Sequence, residues 1–329
     1  MTAATRDAET TPPIGVEPQA SGLRLVHEHG RSLRVTWEGE ELFRYVYAPW
    51  DPQRESPRPY FHPLRTLGGD LVSLYRPHDH VWHKGIAWSL CNVGNENFWG
   101  GTTYTRDGGY QQLDNDGGMW HQGFDLLAVR DGVLRFDERL SWITESGAHW
   151  IDERRRVGVT ALPHVRSWLL DFETTMRNVS GQVIPIGSPT TQGRRDAGYS
   201  GLFWRGPRSF SGGLVVTPAG EGRDELMGSR HPWMAYAGVH DGHGRGSTLV
   251  FRDDARNFSY PSQWFVRTDM YACLCPAPFF SEEYRLLEGD SLTLRYQVCV
   301  ADDALTPAGC EGLARLAAER DLLAEGAPA

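Results

Sequence analysis

Within Arg76-Pro77-His78-Asp79-His80-Val81-Trp82-His83-Lys84-Gly85, three of the chain's twelve histidines fall inside six residues. An aspartate separates the first two, and a lysine follows the third. Imidazole titrates near neutrality and is the commonest protein metal ligand, so the cluster fits acid–base work and divalent-metal binding equally well. In an extended chain His78 and His80 share one face and His83 points to the other, whereas a turn lets all three converge. His80 and His83 are therefore read as acid and base or as metal ligands, with His78 completing a ligand set for one divalent ion. Asp79 is expected to point away from them. Lys84 stands out because the other members of the chain's 33 basic residues are all arginine. Burial shifts a lysine amine but not a guanidinium, so Lys84 is read as a catalytic group that steadies developing negative charge.

Further polar residues are candidates for the same cleft. His121, in Met119-Trp120-His121-Gln122-Gly123, is a fourth catalytic histidine, and His62, in Phe61-His62-Pro63, is placed at the mouth. The stretch Ser188–Tyr199 is dense in hydrogen-bonding groups, and Arg194 and Asp196 suit substrate hydroxyls or a carboxylate. The chain holds twelve tryptophans. Indole faces stack on the C–H faces of sugars, which points to a carbohydrate cleft. Trp82, Trp99 and Trp204 are the chosen walls, joined by Trp264 and Arg267 from Gln263-Trp264-Phe265-Val266-Arg267. There is no glycine-rich phosphate loop, no G-x-S-x-G and no H-E-x-x-H, so no nucleotide cofactor, serine-hydrolase elbow or zincin site is expected.

The elements that must position these residues are strands. Apolar–polar alternation marks 23–47, 124–129, 133–143, 150–159, 166–177, 214–217, 234–239, 247–251 and 292–300, with a short apolar strand at 71–75 and a buried one at 86–90. Turn residues such as Asp131-Gly132, Ser146-Gly147 and Glu288-Gly289-Asp290 separate them at short intervals. The pattern predicts an all-β, antiparallel sandwich or barrel over 21–302. Residues 95–101 read as a loop. Pro307–Ala324 reads as a helix, with Thr306 as N-cap, within a C-terminal segment 303–329. Residues 1–20 read as a disordered leader without a signal pattern.

The net charge of −9 has no basic stripe, which argues against nucleic acid. No apolar run reaches the roughly 20 residues of a membrane helix. The five cysteines are an odd number without metal spacing and fit reduced thiols in the cytoplasm.

Tyr60-Phe61-His62-Pro63-Leu64, Pro77–Gly85, Asn97-Phe98-Trp99-Gly100-Gly101 and Ser188–Arg194 together resemble a soluble bacterial family that carries the label methane oxygenase PmoA. The resemblance runs from about Ser21 to Ala301. It implies a galactose-mutarotase-like supersandwich and a sugar or keto-sugar substrate, since such proteins accompany sugar catabolism. The expected function is a carbohydrate-active lyase or hydrolase working by proton abstraction, with or without a metal. A non-catalytic carbohydrate-binding or sensor protein is one alternative. A metal-dependent oxygenase, as the label implies, is another.

Overall fold

Strict alternation of apolar and polar residues makes a strand bury one face and wet the other. His149–Leu162 does so, with Ile151, Glu153, Arg155 and Val157 buried and Asp152 and Arg154 exposed, and it runs between its antiparallel neighbours Val133–Ile143 and Ser167–Asn178, with Ser291–Ala301 next in the sheet. A computed structural model describes residues 22–324. The expected leader, Met1–Ala20, lies outside the described residues, as does the end of the C-terminal segment.

Among the described residues the strands form two large antiparallel sheets, of eleven and nine strands, and one small hairpin. The larger sheet runs Leu23–Glu28, Ser32–Trp37, Glu40–Val46, Tyr60–Leu64, Ile86–Val93, Gly201–Arg205, Cys273–Ala277, Gln263–Arg267. Glu96–Phe98 and Ile184–Gly187 attach beside Ile86–Val93, and Tyr284–Leu286 pairs with Ile184–Gly187. The smaller sheet runs from Gly220–Gly222 through Leu214–Thr217, Trp233–Val239, Gly246–Asp253 and Ser291–Ala301 to Gly118–Arg130. The hairpin is Thr103–Thr105 with Gly109–Gln111. The fold is the expected all-β sandwich.

Aromatic rings fill the space between the sheets. Phe43 stacks on Trp168, Tyr45 meets Phe136, and Trp88 lies against Phe172 and Tyr296. A helix, Pro307–Ala318, covers part of the smaller sheet's outer face with Cys310, Leu313, Ala314 and Ala317. It starts as predicted, with Thr306 accepting from the amide of Gly309, and ends six residues early. No helix among the described residues is long and apolar enough to cross a membrane. All five cysteines are free and buried.

Two local expectations fail. Residues 71–75 make only isolated bridges, Arg65 to Leu71 and Tyr75 to Lys84, because backbone bonds from Leu74 go to Gly85 and Arg205 instead of a strand partner. The expected loop at 95–101 contains the strand Glu96–Phe98.

A second, smaller core lies on the outer face of the larger sheet. It joins Cys91, Trp99, Phe203, Phe265, Cys273, Cys275 and Phe280, with Trp82, Tyr199 and Tyr271 packed against them. Side-chain parity explains its membership. In Gly201–Arg205 the inward residues are Leu202 and Trp204, so Phe203 and Arg205 face outward. In Gln263–Arg267, Trp264 and Val266 turn inward, leaving Phe265 and Arg267 outward.

Candidate active site

The histidine segment is neither a strand nor a random loop. Tyr75 bridges to Lys84, and the amide of Arg76 donates to the carbonyl of His83 at 2.9 Å. Two tight turns follow one another inside this closure. The amide of His80 bonds the carbonyl of Pro77 and that of His83 bonds the carbonyl of His80, each at 3.0 Å. The second turn brings the His80 and His83 rings into a parallel stack, with centroids 4.7 Å apart and planes 10° apart.

Arg205 organises both rings. This outward-facing arginine is fully buried. One guanidinium nitrogen donates to Nδ1 of His83 at 3.1 Å, and another donates to Oδ2 of Asp79 at 2.9 Å. Its plane lies over Tyr271, 3.9 Å from the ring centroid. A guanidinium can only donate, so His83 Nδ1 is bare and the ring proton sits on Nε2. Burial above all, with the unfavourable proximity of a second imidazole, His80, and of the Arg205 cation, holds the His83 pKa well below its usual value, so the ring stays neutral.

Asp79 carries the opposite instruction to His80. Its Oδ2 accepts from His80 Nδ1 at 2.8 Å, and its Oδ1 accepts from Arg208 at 2.7 Å. Burial alone would raise this carboxyl, but the bonds from His80, Arg205 and Arg208 outweigh it and hold it well below the usual carboxylate range. An ionised carboxylate accepts only, so Nδ1 of His80 carries a proton and the lone pair of the neutral ring is on Nε2. Neither Nε2 has a protein partner among the described residues. The two stacked imidazoles therefore present different groups, a base at His80 and a donor at His83.

Both rings line a cavity of about 340 Å³, which lies at the small end of the range for small-molecule sites. Trp82, Trp99, Tyr199, Phe265 and Tyr271 supply aromatic walls, and Arg194, Asp196 and Arg267 stand on the polar side. The walls are fixed from behind. Asn97 Oδ1 accepts from the amides of Trp99 and Gly100 at 2.8 and 3.0 Å. Gly100 and Gly101 lie so close to Trp82 that a Cβ on either would meet it at 2.8 and 2.7 Å. Buried Arg58 donates to the carbonyl of Trp82 at 2.7 Å. Above the cavity, the hydroxyl of Tyr110 on the small hairpin meets that of Tyr199 at 2.7 Å and accepts from Arg194.

Seven of the residues chosen from sequence thus meet here: His80, His83, Trp82, Trp99, Arg194, Asp196 and Arg267. The others do not. His78 is outside the cavity, where its Nδ1 accepts from Arg208. The expected ligand trio is not assembled: His78 faces Arg208 outside the cavity, and the Nδ1 lone pair of His83 is taken by Arg205. Among the described residues, no group of three or more His, Cys, Asp or Glu is arranged to hold a metal. Lys84 is 1% exposed in its side chain, lies under the turn, and bonds Asp51 at 3.0 Å and Glu55. Burial lowers its amine, and the two carboxylates oppose that shift. It anchors the turn's closing end.

His121 is on the smaller sheet, where its Nδ1 pairs with buried Glu138 at 2.7 Å. His62 bonds Ser73 and stacks on Tyr75, on the other side of the histidine turn. Trp204 and Trp264 are core residues whose indole N–H groups bond the carbonyls of Val72 and His231. Parity put them on the wrong face, while their neighbours Arg205 and Arg267 received the right one. Sequence reasoning missed Asp79, Arg205, Tyr199 and Tyr271. Asp79 was assigned by an extended geometry that the two turns replace. The signal for Arg205 was a charged residue closing the otherwise apolar run Leu202-Phe203-Trp204.

Similarity to known proteins falls into two kinds. In fold, the chain is similar to a GH36 alpha-galactosidase, AgaB, from Geobacillus stearothermophilus, at 10% identity and a TM-score of 0.39, over 85% of this chain and 41% of that one. It is similar to the alpha-galactosidase of Lactobacillus brevis at 10% identity and a TM-score of 0.38, over 86% and 40%. A putative aldose 1-epimerase from Klebsiella pneumoniae subsp. pneumoniae aligns at 12% identity and a TM-score of 0.30, over 59% and 56%. The match spans less than half the length of the two galactosidases. No curated protein sequence matches this one. A family model matches residues 32–315, and the chain belongs to that family, a family of unknown function (DUF6807).

Proposed function

We propose that the chain is a carbohydrate-active enzyme in which His80 moves a proton on a sugar or keto-sugar. The observation that carries this reading is the Asp79–His80 pair beside the Nε2–H of His83, both fixed by Arg205, opening into an aromatic-walled cavity. The bare Nε2 of neutral His80 takes a proton from the carbon next to a carbonyl. The resulting imidazolium is steadied by the Asp79 carboxylate. As the C–H electron pair moves toward the carbonyl, negative charge grows on its oxygen, and the Nε2–H of His83 donates to it. The electrons then return to expel the group on the next carbon, which leaves with a proton returned by His80. The same pair can instead activate water for hydrolysis. Trp82 and Trp99 pack the sugar ring, and Arg194, Asp196 and Arg267 orient its hydroxyls.

The sugar-catabolic setting implied by the PmoA-like resemblance accords with this reading. The oxygenase label does not. A two-histidine, one-carboxylate iron site needs ligands that share one open face. Here Asp79 is engaged by two arginines and a histidine, and the two rings are parallel.

The test is incubation of wild type and His80→Ala with glycosides and their keto derivatives, read by mass spectrometry, alongside sugar binding by calorimetry. The expected result is turnover that falls roughly 10²–10⁴-fold in the variant while binding persists. Wild-type binding without turnover of any tested sugar would replace the enzyme with a sugar-binding protein. Unchanged turnover in His80→Ala would remove the base.

A further inference from the structure

We infer a second ligand site across the histidine turn from the cavity, built for a sugar that bears a negatively charged group. A depression of about 340 Å³ lies there, as large as the histidine cavity. Trp50, Asp51, Arg31, Arg44 and Arg76 line it. None of them lines the histidine cavity, so the inference does not rest on the catalytic reading.

Asp51 provides the first reason. Its side chain is only 5% exposed. Oδ1 is occupied, accepting from Lys84 at 3.0 Å and from the Tyr75 hydroxyl at 2.9 Å. Oδ2 is buried with no hydrogen-bond partner among the described residues. Buried polar atoms are nearly always paired; Asp51 lines the depression, and a small outward turn of its carboxylate lets a ligand hydroxyl supply the missing donor.

The other residues define the rest of the ligand. Arg76 is neutralised by Glu55, at 2.5 Å, and Arg44 has Glu28 and Glu41 nearby, at 3.6 and 3.5 Å. The guanidinium of Arg31 makes no hydrogen bond or close ion pair among the described residues and acts on Glu28 only from a distance, which leaves its donors for a carboxylate or phosphate. Trp50 is 95% exposed, while the other exposed large hydrophobic residues reach at most 73%. Its indole offers a flat face beside a hydroxyl acceptor and a free cation. A pyranose ring with an acidic substituent satisfies all three at once: the ring's C–H face on Trp50, a hydroxyl on Asp51, the anion on Arg31.

Calorimetric titration of the full chain with D-glucuronate, D-glucose 6-phosphate and D-glucose tests this. Arg31 and Trp50 are exposed, so Arg31→Ala and Trp50→Ala put little of the fold at risk. At least one of the anions is expected to bind. Each variant should weaken that binding about tenfold or more, and glucose should bind at least about tenfold more weakly than the anion. Preference for glucuronate would assign a carboxylate ligand, and preference for glucose 6-phosphate a phosphorylated one. The proposal is overturned if neither anion binds, or if both variants bind like wild type. It is also overturned if binding survives Trp50→Ala and disappears in Trp99→Ala, because the ligand then occupies the histidine cavity. Failure of the catalytic reading shows separately, in the turnover of His80→Ala.

Discussion

The two sheets bury one face against each other, yet their outer faces serve different ends. The smaller sheet carries one amphipathic helix on its outer face and elsewhere leaves residues of that face to water, as the alternating burial of His149–Leu162 shows. The centre of the larger sheet is covered on both sides. Gly201–Arg205 and Cys273–Ala277 are buried at every position. An arginine on such a strand cannot reach water, and Arg205 resolves this by bonding His83 and Asp79 and lying on Tyr271. The polar site is thus what satisfies the charge that the doubly covered sheet encloses. The difference also separates two imidazole–carboxylate pairs of similar appearance. Asp79–His80 opens into a cavity, whereas Glu138–His121 sits at the edge of the smaller sheet against Tyr47 and Phe124.

The largest expected effect breaks or upholds that separation. His80→Ala should lose turnover by roughly two to four orders of magnitude. His121→Ala should keep turnover within a few-fold and lose on the order of 1–3 kcal/mol of stability, because buried Glu138 loses a partner. Equal loss of turnover in both variants, measured on folded protein, would show that outer-face placement does not distinguish them.

Lys84→Met is next. Removing a buried cation from beside Asp51 and Glu55 leaves uncompensated carboxylates, at a cost of about 3–5 kcal/mol. Urea denaturation should reveal this loss. Turnover per folded molecule should fall far less than in His80→Ala. A variant with intact stability and abolished turnover would restore Lys84 to the chemistry.

His62 sharpens the comparison through pH. Burial, with Arg65 adding, pushes its imidazole down to about 4. The unfolded ring titrates near 6.5. Between these values the unfolded chain binds a proton that the folded chain refuses, so stability is full above about 6.5 and falls as pH drops toward 4. The loss from this residue is on the order of 3 kcal/mol. His83 is shifted the same way and adds to it with the same sign. Buried Asp116 and Asp171, pushed up to about 7, act with the opposite sign, so the readout is the difference between wild type and His62→Gln. From about pH 7 to pH 5 the wild type should lose urea stability relative to His62→Gln, and a difference that does not change with pH would mean that this ring is not buried as a neutral group.

The strands of the smaller sheet are the most legible in the sequence. Val133–Ile143 and Leu214–Thr217 match their predicted bounds. Gly201–Arg205, Cys273–Ala277 and Gln263–Arg267, the strands under the site, carry little alternation because their outward residues are also apolar or enclosed. Without alternation the face of each residue stays hidden, so Trp204 and Trp264 read as cleft residues although both turn into the core. The rarity of lysine reads as a catalytic Lys84, whereas the structure packs its amine between two carboxylates and outside the cavity lining. A compact ammonium fits between Asp51 and Glu55 beneath Tyr75, 5.0 Å from its ring centroid, where a planar fork would need more room. Two of the three clustered histidines line the cavity, because a pair of turns that spacing alone does not specify brings their rings together.

The smallest effect tests whether the smaller sheet's outer face is independent of the site. Thr306 caps the helix by accepting from the amide of Gly309 at 3.3 Å, and Pro307 presets the first turn. Thr306→Ala should cost about 1 kcal/mol, seen as a lower urea midpoint. The helix rests on Leu169, Val250 and Cys299, whose strands turn their opposite face to the shared core. A change at the cap must cross the helix, the smaller sheet, the core and the larger sheet before it reaches His80. Packed layers resist continuous deformation, so turnover in Thr306→Ala should match wild type even as stability drops. If turnover falls in step, the layers move together, and the division of labour between the two faces fails.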